Sequence, residues 1–183
     1  MRVTTGRFKG RTLRTVRDLS VRPATDRVRQ TIFNVLTHRM ALEGSSVLDL
    51  YAGSGSLGIE ALSRGAAHAT FVESDRGALT FLQDNLERLD CEDEATVLEM
   101  DSLHYLRQVA GSFDVIFADP PYAYEATVEI PRLVFSRALL ATDGFLIIEH
   151  ARTLHFPPDP GYTPGPVKQF GRTVVTFFRR KTL

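Results

Sequence analysis

The chain has 183 residues, of which 43% are hydrophobic, and this is enough for the core of one ordinary α/β domain. No apolar run is long enough to span a bilayer, and the Arg-rich N-terminus lacks the apolar core and cleavage site of a secretory signal. The single cysteine, Cys91, cannot form an internal disulfide, and the five histidines are scattered without a CxxC or HExxH pattern. We therefore expect a protein of the reducing cytoplasm with no metal site.

The formal net charge is zero, but the charges are unevenly distributed along the chain. Residues 1–40 hold ten Arg and Lys residues against two Asp, and residues 168–183 hold five against no acid. This asymmetry indicates a polyanionic partner at the basic end, with a solvated basic tail as the alternative.

The first residues predict a hairpin with a cationic tip. Residues 2–5 and 12–13 favour two short strands, and the loop between them carries Arg7, Phe8, Lys9 and Arg11. Arginine and lysine meet phosphates and an aromatic ring stacks on bases, so this tip is a candidate nucleic-acid contact. The pattern leaves open whether Phe8 stacks on a base or packs inward.

A helix is predicted next. Arg22-Pro23 favours an extended approach, and Thr25 or Asp26 is expected to cap the helix. Its apolar stripe consists of Val28, Ile32, Val35 and Leu36, and Arg27, Gln30 and Asn34 fall away from it. Candidate contacts to substrate phosphates on this segment are Arg22, Arg27 and Arg29, with surface arginines of no specific role as the competing interpretation.

From Ser46 onward, short apolar strands alternate with helices. Strands are predicted at 46–50, 69–73, 95–99, 113–118 and 144–149, and helices from 56, from about 76, from about 102 and at 125–140. Residues 161–168 and 173–180 predict a C-terminal hairpin that turns at 169–172. This alternation implies a parallel sheet with helices on both faces, whose ligand site lies at the carboxyl ends of the strands.

The first of these strands leads into a glycine-rich turn, 53–58, with the sequence Gly-Ser-Gly-Ser-Leu-Gly. Its glycines let the backbone approach a ligand closely, and the following helix N-terminus offers unpaired N–H groups. Glu73 ends the next strand, where a carboxylate accepts both hydroxyls of a ribose. The turn also fits the dinucleotide fingerprint, but Asp49 places a negative charge that suits a cationic ligand, such as the ammonium of a methionine moiety.

Asp101 follows the third strand. An aspartate in this place can accept a hydrogen bond from the exocyclic amine of an adenine, or it can cap the following helix, and the two roles are compatible. Phe71 and Leu103 are candidates to flank the adenine ring, although their spacing suits the core equally. Together with Asp49 and Glu73, Asp101 predicts a site for a nucleoside-containing cofactor.

The sharpest signal is Asp119-Pro120-Pro121-Tyr122, directly after the strand at 113–118. The prolines fix an extended turn and remove N–H groups, so carbonyls and a carboxylate face the site. Such a site would hold a planar amine that donates to Asp119 and the Pro120 carbonyl, with Tyr122 against the base. Catalysis would consist mainly of orienting the amine toward an electrophilic methyl, with Asp119 available as general base. A proline-rich loop with a capping Asp is the structural alternative.

Residues 49–58 together with 119–122 resemble the class I S-adenosylmethionine-dependent amino-methyltransferases. Residues 6–13, 22–34 and 50–65 are similar to the RsmD family, the 16S rRNA guanine-N2 methyltransferases. The resemblance covers nearly the whole chain and is weakest after His150. Ala24 stands where the family commonly has Thr, and Gln30 where it commonly has Glu.

The resemblance implies an α/β, Rossmann-like class I methyltransferase fold. It has a mostly parallel seven-stranded sheet, a C-terminal antiparallel hairpin and a small N-terminal β-hairpin/helix extension. Residues 1–43 would form the basic RNA-binding extension and residues 44–183 the methyltransferase domain. The expected protein is a monomer without a metal or a membrane association. It would act on 16S rRNA in an assembling 30S subunit.

The resemblance also implies the site. The methyl group of S-adenosylmethionine would pass to the N2 amine of a guanine that has left its stack, with S-adenosylhomocysteine as the product. Asp49 and the turn would hold the methionine part, Glu73 the ribose and Asp101 the adenine. The full cofactor set is Asp49, Tyr51, Ala52, Gly53, Gly55, Glu73, Ser74, Asp101 and Ser102, and the catalytic set is Asp119, Pro120, Pro121 and Tyr122. RNA would be bound by Arg7, Lys9, Arg11, Arg22, Arg27 and Arg29.

Three other functions remain open at this point. An adenine-N6 methyltransferase acting on DNA or RNA shares the chemistry of 119–122, and only the N-terminal similarity separates it. A non-catalytic RNA-binding assembly factor would need none of the strand-end carboxylates. A small NAD-dependent oxidoreductase fits the glycine turn alone.

Overall fold

The computed structural model describes residues 1–15, 26–122 and 124–181. Within these residues the helices are α1 (Asp26–Thr37), α2 (Ser56–Ser63), α3 (Arg76–Leu89), α4 (Ser102–Gln108) and α5 (Glu129–Ser136). The strands are β1 (Ser46–Leu50), β2 (His68–Glu73), β3 (Ala95–Glu99), β4 (Phe113–Ala118), β5 (Leu140–Ala151), β6 (Tyr162–Phe170) and β7 (Thr173–Arg180). Short 3-10 turns occupy Glu92–Glu94 and Glu125–Val128.

The strands form one sheet in the order β3-β2-β1-β4-β5-β7-β6. The first five in this order pair in parallel, and β7 pairs antiparallel with both β5 and β6. From β1 the chain adds β2 and β3 on one side and then β4 and β5 on the other, so the order of strand addition reverses between β1 and β4. Open α/β sheets bind their ligands at such a point. The predicted fold class is confirmed, including the C-terminal antiparallel hairpin.

Side chains alternate between the two faces of the sheet and build a core on each. One core contains Val47, Val115, Phe117 and Ile147 with the apolar sides of α1, α2 and α3. The other contains Leu48, Ile116 and Ile148 with α4 and α5. Helices therefore cover both faces of the sheet and leave the ends of the parallel strands to form the site.

Several element boundaries differ from the predictions. The helix expected at 125–140 is a 3-10 turn followed by α5, which ends at Ser136 because Ala138 adopts a positive φ of 54°. The strand expected at 144–149 starts earlier, at Leu140, with an irregularity before Phe145. At the N-terminus, the two short strands are reduced to a single antiparallel bridge between Arg2 and Thr12.

The N-terminal hairpin packs on the body of the protein through its apolar residues. Val3, Phe8 and Leu13 are buried in the core that α2 and α3 share, so Phe8 packs inward and does not present its ring to a base. Arg7 pairs with Glu94, which directly precedes β3, and its backbone N–H donates to Ser63 O at the end of α2. The tip of the hairpin therefore lies at the amino ends of β2 and β3.

The expectation that Arg29 contacts RNA is wrong. Its side chain is 0% exposed and cannot reach an RNA phosphate. Its guanidinium instead lies 2.9 Å from Asp26 and 3.6 Å from the buried Glu60. Glu60 also accepts the Thr4 N–H at 2.8 Å and pairs with Arg64 at 2.9 Å. This buried cluster joins α1, α2 and the N-terminal hairpin. Arg22, Pro23 and Thr25 lie outside the described residues, whereas Arg27 is exposed in the first turn of α1.

Candidate active site

The loop after β1 has an unusual backbone conformation. Tyr51, Gly53 and Gly55 all have positive φ values, of 56°, 55° and 83°. A positive φ is uncommon for a residue with a side chain, and such conformations cluster at ligand sites. A Cβ on Gly53 would meet no atom within 4 Å, whereas one on Gly58 would lie 2.3 Å from the Phe71 ring. Gly58 therefore lets α2 pack on β2, and Gly53 leaves its surface free for a ligand.

Glu73, at the carboxyl end of β2, holds this loop in place. Its two carboxylate oxygens accept the N–H groups of Gly53, Ser74 and Asp75, each at 2.8 Å. A carboxylate oxygen has a second lone pair, so these bonds leave acceptor capacity beside Gly53. Glu73 thus sits where the sequence predicts a ribose site and also orients the loop toward it.

Asp101 and Ser102 lie after β3, at the same edge of the sheet. The Asp101 carboxylate accepts the His104 N–H at 2.7 Å, so it caps α4 as one of its two predicted roles. The Ser102 hydroxyl is buried and accepts the Tyr51 N–H at 3.1 Å, which ties the start of α4 to the β1 loop. Phe71 and Leu103 are both buried core residues.

Asp49 is almost completely buried, with 1% of its surface exposed. One of its oxygens accepts the Gly58 N–H of α2 at 2.8 Å. Burial raises the pKa of Asp49 to about 8, the Gly58 bond opposes that rise, and the charge of Glu73 adds to it. A cationic group that approached from the Gly53 side would stabilise the ionised form of this carboxyl.

The loop after β4 lies next to the β1 loop. The Asp119 N–H approaches the Leu50 carbonyl at 3.5 Å, and the Tyr51 and Tyr124 rings meet edge to face with centroids 6.0 Å apart. Among the described residues, neither the Asp119 carboxyl nor the Pro120 carbonyl accepts a hydrogen bond. Pro121 is exposed, and Tyr122 is 55% exposed. Two free acceptors and an exposed aromatic ring therefore stand together at this edge.

Glu149 also belongs to this candidate site, although the sequence predictions did not include it. It lies near the end of β5, one strand beyond Asp119, and its Oε2 is buried without a partner among the described residues. Burial raises the pKa of Glu149 to about 7. Burial also raises the pKa of Asp119 well above its usual value, with further contributions from the charges of Glu149 and Asp49.

Comparison with known proteins assigns the family. The family described as "Conserved hypothetical protein 95" matches residues 1–179. The protein YlbH of Bacillus subtilis is 37% identical over 185 residues, which cover 99% of this chain and all of YlbH. Ribosomal RNA small subunit methyltransferase D of Haemophilus influenzae is 37% identical over 152 residues, covering 81% of this chain and 78% of that protein. The chain belongs to the RsmD family.

Solved structures agree with this assignment. The Escherichia coli protein yhhF superposes with a TM-score of 0.87 at 31% identity, over all of this chain and 99% of that one. The resemblance of the sequence to the RsmD family is thereby confirmed, and relatives in the family carry the name of rRNA methyltransferases. The described residues contain no helix that is long and apolar enough to cross a membrane. They also contain no group of three or more His, Cys, Asp and Glu side chains arranged to hold a metal ion.

The end of the sheet that carries Asp49, Glu73, Asp101, Asp119 and Glu149 is called the acidic edge below. Exposed cations lie beside it in this RsmD-family chain. The β6–β7 turn reaches it, because the Tyr122 hydroxyl donates to the Arg172 carbonyl at 3.4 Å and the Arg152 N–H donates to the same oxygen at 2.9 Å. The side chains of Arg152, Lys168 and Arg172 are exposed and form no ion pair within the described part of the chain. We refer to these three residues as the cationic rim.

The predicted RNA contacts Arg7, Lys9 and Arg11 lie on the other side of the molecule. They are exposed, but Arg7 pairs with Glu94 and Arg11 donates to the Arg88 carbonyl at the end of α3. β2 has six residues, so roughly 20 Å separates its amino end from its carboxyl end. The hairpin tip and the acidic edge therefore face different regions of any bound RNA.

Proposed function

We propose that this protein transfers the methyl group of S-adenosylmethionine to the N2 amine of a guanine in 16S rRNA. The observation that carries the proposal is the contact between the β1 loop and the β4 loop at the reversal point of the sheet. The loop that would bind the cofactor and the hydrogen-bond acceptors that would bind the target amine therefore lie at the same edge of the sheet. The names of the curated relatives support small-subunit rRNA as the substrate, and the family resemblance supports guanine N2.

The residues present fit S-adenosylmethionine. Asp49, Glu73, Asp101, Asp119 and Glu149 give this edge an excess of carboxyl groups. Such a surface favours a ligand with a positive sulfonium and ammonium and disfavours the two negative charges of a dinucleotide pyrophosphate. Asp49 would face the methionine part beside Gly53, Glu73 would accept the ribose hydroxyls, and Asp101 would accept the adenine amine. Tyr51, Ala52, Gly55, Ser74 and Ser102 would shape the cradle around it.

The residues after β4 would hold the target amine. Asp119 and the Pro120 carbonyl are acceptors without a described partner, so they can take the two N2 hydrogens and aim the nitrogen lone pair. Pro121 would keep the turn extended, and the exposed Tyr122 would lie against the base. Bound S-adenosylmethionine supplies an electrophilic methyl group. Holding the amine at that methyl is catalysis by proximity and orientation.

Asp119 is also placed to receive the proton that N2 releases when it gains a methyl group. Burial raises the pKa of Asp119, as do the charges of Glu149 and Asp49, so its carboxylate binds a proton more readily than an exposed aspartate would. A base with a pKa nearer to the operating pH is a better proton acceptor in a transition state. The guanine would have to leave its stack to reach this carboxylate.

The cationic rim would hold the RNA backbone on either side of the flipped guanine. The Arg172 carbonyl contacts both Tyr122 and the Arg152 N–H, Lys168 lies in β6 of the same hairpin, and the side chains of these three residues are free to meet phosphates. Arg7, Lys9, Arg11 and Arg27 would contact more distant phosphates. We also propose that residues 1–43 act in this way as an RNA-binding extension of a domain formed by residues 44–183.

The proposal is tested by methyl transfer from labelled S-adenosylmethionine to 30S particles, naked 16S rRNA and duplex DNA, with the product nucleoside identified by mass spectrometry. N2-methylguanosine from rRNA or from 30S particles is the expected product. N6-methyladenine would overturn the substrate but keep the amine site. The absence of any product, with S-adenosylhomocysteine still bound, would contradict the assignment of the acceptor.

A further inference from the structure

Glu149 lies beside Asp119 on the same face of the sheet. Val115 pairs with Phe145 and Phe117 pairs with Ile147, so the next position in this register places Asp119 opposite Glu149. Neighbouring strands are about 5 Å apart, and alternation directs both side chains toward the face that carries Phe117 and Ile147. The β4 and β5 strands thus present two carboxyl groups side by side at the amine site.

The Glu149 carboxyl has no hydrogen-bond partner in the described part of the chain that would explain its position. Its Oε2 is buried and accepts no hydrogen bond from the described residues, although buried polar atoms are nearly always satisfied. An unpaired buried carboxylate is costly, and the charge of Asp119 beside it increases that cost. A ligand that brings a hydrogen-bond donor to this point would relieve the cost.

The bases differ in what they place next to their exocyclic amine. Guanine presents the N1–H donor beside its N2 amine, so two carboxylates can both accept from it. Adenine and cytosine present an unprotonated ring nitrogen beside their amines, and a carboxylate facing that nitrogen is repelled. A site with a second carboxylate next to the amine acceptor therefore selects guanine.

We propose that Glu149 determines the base specificity of the enzyme by accepting the N1–H of the target guanine, while Asp119 and the Pro120 carbonyl accept the N2 hydrogens. This inference rests on the proposed function. Sites built to hydrogen-bond a substrate group reject analogues that lack it strongly, because the protein group is then left buried and unpaired. Glu149 would thereby exclude adenine although adenine carries a reactive amine.

The test uses 2-aminopurine, which has the same amine as guanine but an unprotonated N1. After the methylated guanosine has been mapped, RNA carrying guanosine or 2-aminopurine at that single position is assembled into 30S particles. Wild-type enzyme should prefer guanosine by at least about 100-fold in kcat/KM. The Glu149→Gln side chain offers either an amide oxygen or an amide N–H, so this preference should fall by at least about tenfold, and affinity for S-adenosylhomocysteine should not change.

Glu149→Asp is the matched variant because it keeps the charge. It should retain the preference for guanosine even if overall activity falls. If Glu149→Gln does not fold, Glu149→Ala, which offers no hydrogen-bonding group to N1, takes its place and should lose the preference by the same factor. A purely structural role would lower activity on both substrates equally and leave their ratio at the wild-type value, which would overturn the inference. Wild-type enzyme that makes no N2-methylguanosine at all would instead refute the proposed function.

Discussion

Replacing Asp49 with asparagine should remove a pH-dependent loss of stability from the free protein. The folded-state pKa of Asp49 is raised from 3.8 to about 8, chiefly by burial. A carboxyl whose pKa is higher in the folded state stabilises the fold when it is protonated. Its contribution to the free energy of unfolding is therefore fully present below about pH 4 and is lost as the pH rises toward 8. Asparagine has nearly the same shape, keeps an oxygen for the Gly58 N–H and does not titrate.

The magnitude follows from linkage. Each pH unit within the window from about 4 to about 8 changes the relative stability by about 1.4 kcal/mol. Between pH 5 and pH 7, the free energy of unfolding of Asp49→Asn relative to wild type should therefore rise by about 2–3 kcal/mol. Urea denaturation at pH 5, 6 and 7 measures this difference. A difference that does not vary with pH would show that Asp49 is already ionised in the free fold.

Further predictions concern the cofactor, the RNA and the glycine turn. Affinity for S-adenosylmethionine should increase by up to about tenfold per unit between pH 6 and pH 8, because the cation favours ionised carboxyls. Calorimetry should show a smaller increase for S-adenosylhomocysteine, whose sulfur is neutral, and equal slopes would contradict an attraction between the sulfonium and the carboxyl groups of this edge. Replacing the cationic rim with alanine should reduce the slope of log K for RNA against log salt by about 2, and replacing Arg7, Lys9 and Arg11 together should reduce it less. Equal reductions would mean that the two groups contribute alike. Gly58→Ala should destabilise the fold by about 1–3 kcal/mol in urea, because its Cβ would lie 2.3 Å from Phe71. Gly53→Ala should meet no neighbouring atom, but its φ of 55° strains any side chain there, so the variant should lose some stability in urea and should weaken cofactor binding at least tenfold by calorimetry. Unchanged affinity would remove Gly53 from the cradle.

Much of the fold was predictable from the sequence because short buried strands alternate with amphipathic helices from Ser46 onward. That pattern located β1 to β4 to within one residue at each end. It did not locate the end of α5, which depends on a left-handed Ala138 and on the irregular start of β5. Alanine carries no local signal for a positive φ, so this boundary comes from tertiary packing.

The site was predictable where residues at strand ends follow a known motif, and less so elsewhere. The sequence placed Asp49, Glu73, Asp101 and Asp119 at one edge, and the structure has them there. Glu149 ends the strand predicted at 144–149, so the same strand-end reasoning would have found it. Arg29 was wrongly predicted to contact RNA, although it lies three, four and seven residues before Ile32, Phe33 and Leu36, a helical spacing that would have placed it toward the core. Its burial depends on Glu60, a long-range partner that no local pattern reveals.

The role of Asp119 is decided by measuring methyl transfer and cofactor binding together in Asp119→Ala. Transfer to rRNA should fall by about 10³-fold, because the amine loses both its orienting acceptor and a proton acceptor. The dissociation constant for S-adenosylhomocysteine should stay within about threefold of wild type, since the cradle is formed by residues after β1, β2 and β3. Transfer at the wild-type rate, or loss of cofactor binding along with transfer, would contradict the role of Asp119 as the residue that holds the target amine.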